Sequence, residues 1–347
     1  MGVFDLIAGE YETISYARDE ASGLRCIIAI YSTALGPALG GTRFWPFDSE
    51  EAALRDVLRL AKAMAFKASA AGLGLGGGKA VVIGDPRKAK TPELLRAYGR
   101  AVERLGGAYI TTADVGTSSA DMDVIAQTTA FVTGTSTGSG DPSPVTSYGV
   151  WHGLRAVADE IWGNPSLAGR HVAVQGVGKV GSGVVRHLAA EGAQLTLADL
   201  DDDAVSALAA EVGAEVAGCD EIASVPCDIF SPCALGAVVN DFSLPDFKCR
   251  AIAGAANNQL ERPEHGDALT EAGILYAPDY VINAGGLINV EDELHGYDSE
   301  RAHAKAAAIG QRLRSVFARA KADGVSTAAA ADAIAGERIR AASELRS

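Results

Sequence analysis

Val172-Ala-Val-Gln175 runs into Gly176-Val177-Gly178-Lys179-Val180-Gly181, then a stretch of helical spacing to Gly192, then a second apolar run that ends in Leu197-Ala-Asp199. A G-x-G-x-x-G pattern on its own is weak. This one follows a strand, opens a helix and has a carboxylate 23 positions after its first glycine, the order that a dinucleotide-binding βαβ unit requires. The first two glycines allow the tight turn and the close approach of a pyrophosphate, which rests on the N–H groups opening the helix. Asp199 is suited to bond the ribose hydroxyls and to repel a 2′-phosphate. Leu200 and Asp201 follow it and no arginine comes until Arg250, so NAD is expected over NADP. The plainer alternative is a strand–turn–helix that merely accepts glycine.

Outward from this unit, short apolar runs alternate with helical stretches. A strand at 171–175 precedes a helix over about 179–191, and a strand at 194–199 precedes one over about 202–212. Further strands are predicted near 228–230, 251–253 and 281–282. This alternation predicts a doubly wound α/β domain with a parallel sheet. The alanine-rich residues 300–345 read as helical. Upstream, residues 134–144 (Gly-Thr-Ser-Thr-Gly-Ser-Gly-Asp-Pro-Ser-Pro) form the sharpest break in composition, a natural hinge between domains. A long helix over about 145–162 follows it.

The first domain contains a predicted strand over 24–32, rich in β-branched residues. Asp48-Ser-Glu-Glu51 signals the start of a helix that runs to about Ala71 and stops at Gly72. Its apolar face includes Leu54, Val57, Leu58, Ala61, Met64, Ala65 and Ala68, with Lys67 at the edge. Next come a strand near 80–83 and a helix opened by Thr91-Pro92-Glu93, with proline at its first position. A strand over 108–112 delivers Asp114 into a loop, and 131–133 reads as a short strand. No internal repeat has a solenoid period.

At 347 residues and 48% hydrophobic content, the chain can bury two cores. A net charge of −14 without any Lys/Arg-rich run argues against a nucleic-acid surface. The five cysteines form no CxxC pair and the histidines no HxxxH or HExxH, so free thiols and no metal centre are expected. No apolar run approaches the roughly 18 residues of a membrane span, and the first residues lack a basic n-region or signal-peptide core. A soluble, cytoplasmic protein is expected.

Two lysines twelve residues apart carry the clearest chemistry outside the nucleotide motif. Lys67 lies in Ala-Phe-Lys67-Ala-Ser, where the bland expectation is a side chain that snorkels to water. Lys79 closes Ala71-Gly-Leu-Gly-Leu-Gly-Gly-Gly-Lys79, whose glycines let backbone pack around its base. A phosphate-binding loop is rejected, because that motif wants glycine where Leu73 stands and Ser or Thr where Ala80 stands. Together with Asp114, in Thr-Thr-Ala-Asp114-Val-Gly, the lysines suit the binding of a carboxylate and proton transfer near neutral pH.

The chain resembles the leucine/valine/phenylalanine dehydrogenase branch of the amino-acid dehydrogenase family, relatives of glutamate dehydrogenase. The likeness is carried by Gly36-Pro-Ala-Leu-Gly-Gly-Thr-Arg43, Ala70-Ala-Gly-Leu73, Gly76-Gly-Gly-Lys79, Asp114-Val-Gly-Thr117 and Pro142-Ser-Pro-Val-Thr146. It continues through Pro232-Cys-Ala-Leu-Gly236, Ala253-Gly-Ala-Ala-Asn-Asn258 and Ile282-Asn-Ala-Gly-Gly286, in the family's order over almost the whole chain. The resemblance implies reversible oxidative deamination of an L-amino acid to its 2-oxo acid and ammonia, with NAD as cofactor. It implies that Lys67 holds the substrate carboxylate with help from Asn258, that Lys79 is the general base on the attacking water, and that Asp114 relays protons to and from the substrate nitrogen. Gly41 and Met64 are expected to border the substrate. Thr146 and Asn283 are expected at the nicotinamide end, Cys233 and Ala234 near the cofactor, and Arg43, Asn257 and Leu200 beside it.

A lysine can be the base only if its pKa falls from about 10.4 towards neutrality; burial and the charge of Lys67 are expected to push it that way. Hydride transfer needs the reacting carbons about 3–3.5 Å apart, so closure of two domains over the substrate is implied. The architecture implied is residues 1–133 plus about 326–347 as a substrate-binding and oligomerisation domain, and about 134–325 as a Rossmann-type NAD-binding domain, separated by a cleft. A homo-oligomer is expected.

The substrate pocket implied by the resemblance includes Leu39, Thr112, Val145, Leu287 and Val290. Glutamate-specific relatives tend to carry Lys and Ser in the places of Leu39 and Val290. Apolar residues there argue against glutamate, since a buried unpaired carboxylate costs several kcal/mol. Leucine or valine suits Val145 and Val290. Thr112 and Leu287 stand where leucine enzymes more often carry Ala and Val, and a methylene is worth about 1–3 kcal/mol, so phenylalanine and tryptophan stay open. Two rivals come from other classes. A non-catalytic NAD- or amino-acid-binding regulator could dispense with Lys79 or Asp114. A 2-hydroxy acid dehydrogenase would want a histidine–carboxylate pair and an arginine clamp.

Overall fold

The structure, a computed structural model, describes residues 10–346. Its strands are β1 (Thr13–Asp19), β2 (Leu24–Ser32), β3 (Ala38–Trp45), β4 (Gly76–Ile83), β5 (Tyr109–Ala113), β6 (His171–Gln175), β7 (Gln194–Ala198), β8 (Glu215–Val216), β9 (Ile229–Pro232), β10 (Ala251–Ile252) and β11 (Leu275–Tyr276). They form a five-stranded sheet of order β1-β2-β4-β3-β5 and a six-stranded sheet of order β11-β10-β9-β6-β7-β8. The chain divides into two compact units. The first holds the residues up to Gly140, Val290–Tyr297 and the segment from Ala335; the second holds Asp141–Asn289 and Asp298–Ile334.

In the first unit the alternation of β2 decides the packing. Leu24, Cys26, Ile28 and Ile30 join Tyr98, Val102 and Tyr109 on one face, while Ile27 and Ala29 join Val57, Leu58 and Ala61 of helix Glu50–Ala70 on the other. Covered on both faces, the strand is an almost unbroken apolar run. The glycine run beside it is itself strand: β4 starts at Gly76, ahead of the 80–83 expected, and pairs with β2 antiparallel and β3 parallel. A Cβ at Gly77 would lie 2.0 Å from the Ala65 amide nitrogen, and one at Gly40 1.7 Å from the Gly78 carbonyl oxygen. Only glycine lets the helix and β3 come this close to the strand that carries Lys79.

Helix Glu50–Ala70 is capped by Ser49, whose Oγ accepts the Ala52 N–H at 3.1 Å, one residue later than the Asp48 signal. The expected Thr91 cap and Pro92 start are present. The strand expected at 131–133 reduces to one bridge, Val132 to Thr111. Residues 290–297, expected in the cofactor domain, belong here because Glu293 accepts the N–H groups of Gly134 and Ser139, each at 2.8 Å.

The second unit's sheet is parallel throughout. The chain lays down β6, β7 and β8 in one direction, then β9, β10 and β11 from the other side of β6. That reversal, between β6 and β9, is the switch point of a doubly wound fold. Residues 281–282 are not a strand: they lie in the turn of helix Asp279–Ile282. The Asp279 carboxylate accepts the N–H groups of Tyr280 and Gln259, and Ile282 packs on Gly153. Local bonding and burial override the β-branched pair, and β11 is the sixth strand instead.

The expected C-terminal helices are Ser299–Ala307, Ile309–Asp323 and Thr327–Glu344. Residues 326–334 belong with the second unit, not the first as expected, since Thr327 Oγ1 donates to the Tyr276 carbonyl at 2.6 Å and Tyr280 Oη to Asp332 at 2.7 Å. From Ala335 the same helix joins the first unit, where Ser69 Oγ donates to the Ala335 carbonyl and Arg338 to the carbonyls of Ser69 and Leu73. All five cysteines are free. Among the described residues no helix is long and apolar enough to cross a membrane.

Gly77→Ala is expected to lower the stability of the first unit by about 1–3 kcal/mol, because the added methyl meets helix backbone that no rotamer change can move. Urea unfolding checks this; a midpoint equal to the parent's would contradict the packing described.

Candidate active site

Along β4, Lys79 shares a face with Gly77 and Val81, the face covered by helix Glu50–Ala70, and it is only 6% exposed. β3 lies between β4 and β5, so the Lys79 side chain crosses β3 to meet Asp114, which follows the end of β5. Gly41 makes the crossing possible. A Cβ there would lie 2.7 Å from Asp114 Cβ and 3.3 Å from Lys79 Nζ. Lys79 Nζ stands 2.9 Å from Asp114 Oδ2. The Asp114 N–H donates to Thr117 Oγ1 at 2.9 Å, which fixes the loop.

Burial pushes the Lys79 amine below the ordinary lysine range; Asp114 works against this, and the Arg43 cation adds to it. Burial also opposes the charge on Asp114, but attraction to Lys79 and Arg43 and hydrogen bonds from Lys79 and the Val115 N–H outweigh it and hold the carboxyl below its usual range. The site therefore favours the anionic form of Asp114 and, through burial, disfavours the charged form of the amine beside it. Arg43, expected beside a cofactor, pairs with two carboxylates, Nε lying 3.3 Å from Asp114 Oδ2 and an η nitrogen 2.8 Å from Asp56 Oδ2. The sequence did not mark Asp56. It read as one more polar position on an amphipathic helix, its only signal being the three-residue spacing to Arg59.

The other expected substrate residues divide between the units. Lys67 is half-buried in the last turn of helix Glu50–Ala70, and Met64 is half-buried one turn before it. Leu39 is buried in β3, and Thr112 in β5 stands in register with Gly41. These belong to the first unit with Val290, which is half-buried. Val145, Leu287 and Asn258 belong to the second unit. Val145 and Leu287 are buried, and Val145 packs with Ala302 and Ala306. Asn258 is exposed, in the left-handed region at φ 51°.

In the second unit the glycine motif, Cys233 and Ala234 form one surface. A Cβ at Gly176 would meet Ala234 Cβ at 2.7 Å, and one at Gly181 would lie 2.0 Å from the Gly176 carbonyl and 3.2 Å from Cys233 Cβ. Cys233 N–H donates to the Gln175 carbonyl at 2.7 Å. At Gly178 a Cβ would meet nothing within 4 Å, so the space before it is open. Helix Lys179–Ala190 begins there with no side-chain cap, and the N–H groups of Lys179 and Val180 in its first turn suit an anion. Asp199 Oδ2 accepts the Val177 N–H at 2.6 Å and Oδ1 the Asp201 N–H at 3.0 Å, so this carboxylate also braces the loop. Leu200 is 86% exposed beside it, and Lys179 Nζ pairs with Asp141 at 2.9 Å.

Thr146 Oγ1 donates to the Pro142 carbonyl at 2.8 Å, and Gly285 seats against it, where a Cβ would lie 2.6 Å from Thr146 Cα. Asn283 Nδ2 donates to the carbonyls of Ala255 and Ala256, both at 3.2 Å, and to Asn257 Oδ1 at 3.0 Å. Its Oδ1 is buried with no hydrogen-bond partner among the described residues. A buried acceptor left in this state awaits a donor, and a carboxamide N–H is a suitable one. An open glycine turn, an uncapped helix start, a carboxylate past the second strand and an orphaned acceptor together fit a dinucleotide.

Known proteins resemble the chain over almost its whole length. The family model described as "Glu/Leu/Phe/Val dehydrogenase, dimerisation domain" matches residues 12–131, and that described as "Glutamate/Leucine/Phenylalanine/Valine dehydrogenase" matches residues 196–346. The chain is similar to leucine dehydrogenase of Geobacillus stearothermophilus, 53% identical over 97% of this chain and 93% of that one. It is also similar to valine dehydrogenase of Streptomyces albus, 51% identical over 95% and 93%. Among solved structures, L-tryptophan dehydrogenase from Nostoc punctiforme superposes with a TM-score of 0.92 at 42% identity, covering 99% of this chain and 100% of that one. On this footing the chain belongs to the Glu/Leu/Phe/Val dehydrogenase family, on its leucine/valine dehydrogenase side, and is an amino-acid dehydrogenase.

Proposed function

We propose that the protein catalyses the reversible, NAD-dependent oxidative deamination of a hydrophobic L-amino acid, leucine or valine in preference, to its 2-oxo acid and ammonia. The observation that carries the reading is the buried Lys79 amine beside the charged Asp114 carboxylate, with Gly41 clearing the space between them. Apolar Leu39 and Val290 favour an aliphatic side chain over a second carboxylate. Similarity to leucine and valine dehydrogenases at 53% and 51% identity supports the same preference. An aromatic substrate is the second reading, favoured by the likeness to tryptophan dehydrogenase. The family model's dimerisation domain supports self-association into a homo-oligomer.

Gly176 to Gly181, Asp199, Leu200, Cys233 and Ala234 would hold the adenosine and pyrophosphate of NAD, and Thr146, Asn257 and Asn283 the nicotinamide. The chemistry that NAD would supply, when bound, is acceptance of the hydride from the substrate Cα. Lys67 and Asn258 anchor the substrate carboxylate and so fix which face of Cα is presented. Lys79 takes a proton from water as its oxygen adds to the iminium carbon of the substrate. Asp114 moves protons to and from the substrate nitrogen, so that ammonia leaves and the 2-oxo acid remains. The roles demand a neutral Lys79 at the moment of attack, and burial favours it by lowering the amine's pKa.

Because Lys79 works deprotonated and its pKa is lowered, kcat/KM for deamination should rise with pH along an acid limb that lies below the ordinary lysine range. NADH formation with L-leucine, L-valine and L-phenylalanine across pH tests this. Lys79→Ala should lower kcat by about 10²–10⁴-fold with NAD binding retained. A wild-type chain that binds NAD yet is inert towards every amino acid would favour the regulator instead.

Asp199→Asn keeps an acceptor for the Val177 N–H but removes the charge. The preference for NAD over NADP, as a ratio of kcat/KM values, should fall at least about tenfold, roughly 1.4 kcal/mol. An unchanged ratio would show that Asp199 only braces the loop.

A further inference from the structure

The Lys79–Asp114 pair is the inner end of a chain of alternating charge. Lys79 Nζ lies 2.9 Å from Asp114 Oδ2, and the same oxygen lies 3.3 Å from Arg43 Nε. An η nitrogen of Arg43 lies 2.8 Å from Asp56 Oδ2, and Asp56 Oδ1 lies 3.0 Å from Arg59. Side-chain exposure is 7% at Lys79, 23% at Asp114 and Arg43, 17% at Asp56 and 59% at Arg59. The chain thus runs from a dry amine to water. Arg43 touches two carboxylates through two different nitrogens, which fixes its plane as a single-point lysine contact would not.

We propose that Arg43 and Asp56 are positioning residues for the deamination reaction: Arg43 clamps the Asp114 carboxylate against Lys79, and Asp56 fixes the guanidinium and offsets its charge. The inference rests on Lys79 being the base. The groups that face Lys79 come from three elements: Asp114 from the loop after β5, Arg43 from β3 and Asp56 from helix Glu50–Ala70. From β2 the residue in register is Ala29, which carries no charge. After burial and Asp114, Arg43 acts to drive the proton off Lys79 and Asp56 acts to retain it. The two outer residues therefore pull in opposite senses on an amine that neither touches.

The test is the pH profile of kcat/KM for deamination by the full chain, as wild type, Asp56→Asn, Arg43→Gln and Arg43→Lys. The ionisation of the amino-acid substrate is common to all four, so differences between profiles report the enzyme. Asp56→Asn should move the acid limb to lower pH, Arg43→Gln should move it to higher pH, and Arg43→Lys, which keeps the charge, should leave it near wild type. Loss of a merely structural ion pair would lower the rate at every pH without moving the limb. Limbs that stay fixed, or that move the same way in Asp56→Asn and Arg43→Gln, would overturn the proposal. Should Arg43→Gln not fold, the isosteric Asp56→Asn decides alone. A wild-type chain inert towards every amino acid overturns the functional reading as well; an active one with unmoved limbs overturns this inference only.

Discussion

An amine buried under a helix must either meet an opposing charge or give up its proton, and the first unit is built around that constraint. The glycines of β4 bring helix Glu50–Ala70 down onto the strand, which dries Lys79. The glycine at position 41 opens the path across β3, which lets Asp114 answer the charge. Each of these is a backbone approach that a methyl group would block. What results is an amine whose charged form burial disfavours, the direction that the general-base role proposed for it requires.

The cofactor half depends on a different economy of contacts. In the second unit the reversal of strand order beside β6 leaves a crevice at the carboxyl ends of the strands. The glycine turn, Cys233–Ala234 and the Asp199 carboxylate all lie at that end. Asp199 serves both the loop and, in the reading proposed, the ribose. A side chain with both roles would couple the shape of the turn to the choice of cofactor. Asn283 is satisfied through Nδ2, while its Oδ1 has no partner among the described residues.

Much of this was legible in the chain because its signals are local. The glycine motif, the acidic residue after the second strand, the Thr91-Pro92 helix start and the glycines before Lys79 each sit within a few residues of the feature they determine. Where the reading failed, the determinant was distant. β3 contains adjacent glycines at 40 and 41, a weak strand signal, and it is the pairing with β4 and β5 that makes it a strand. Val281 and Ile282 have β-branched side chains, yet the Asp279 carboxylate and packing on Gly153 make them helical. Residues 290–297 join the first unit through Glu293, whose partners lie more than 150 positions earlier. Arg43 and Asp56 are thirteen residues apart, on a strand and a helix, and nothing in their spacing announces a pair.

The most direct measurement is the titration of Lys79 itself. In protein labelled with ¹³C at lysine Cε, the Lys79 resonance, assigned by its loss in Lys79→Arg, can be followed against pH and compared with the ordinary lysine midpoint of about 10.4. The expected result is a Lys79 midpoint below that range, moved further down when Arg43 is retained and Asp56 is neutralised. A Lys79 midpoint at or above the ordinary range would mean that Asp114 outweighs burial and keeps the amine charged, and Lys79 could not then be the base.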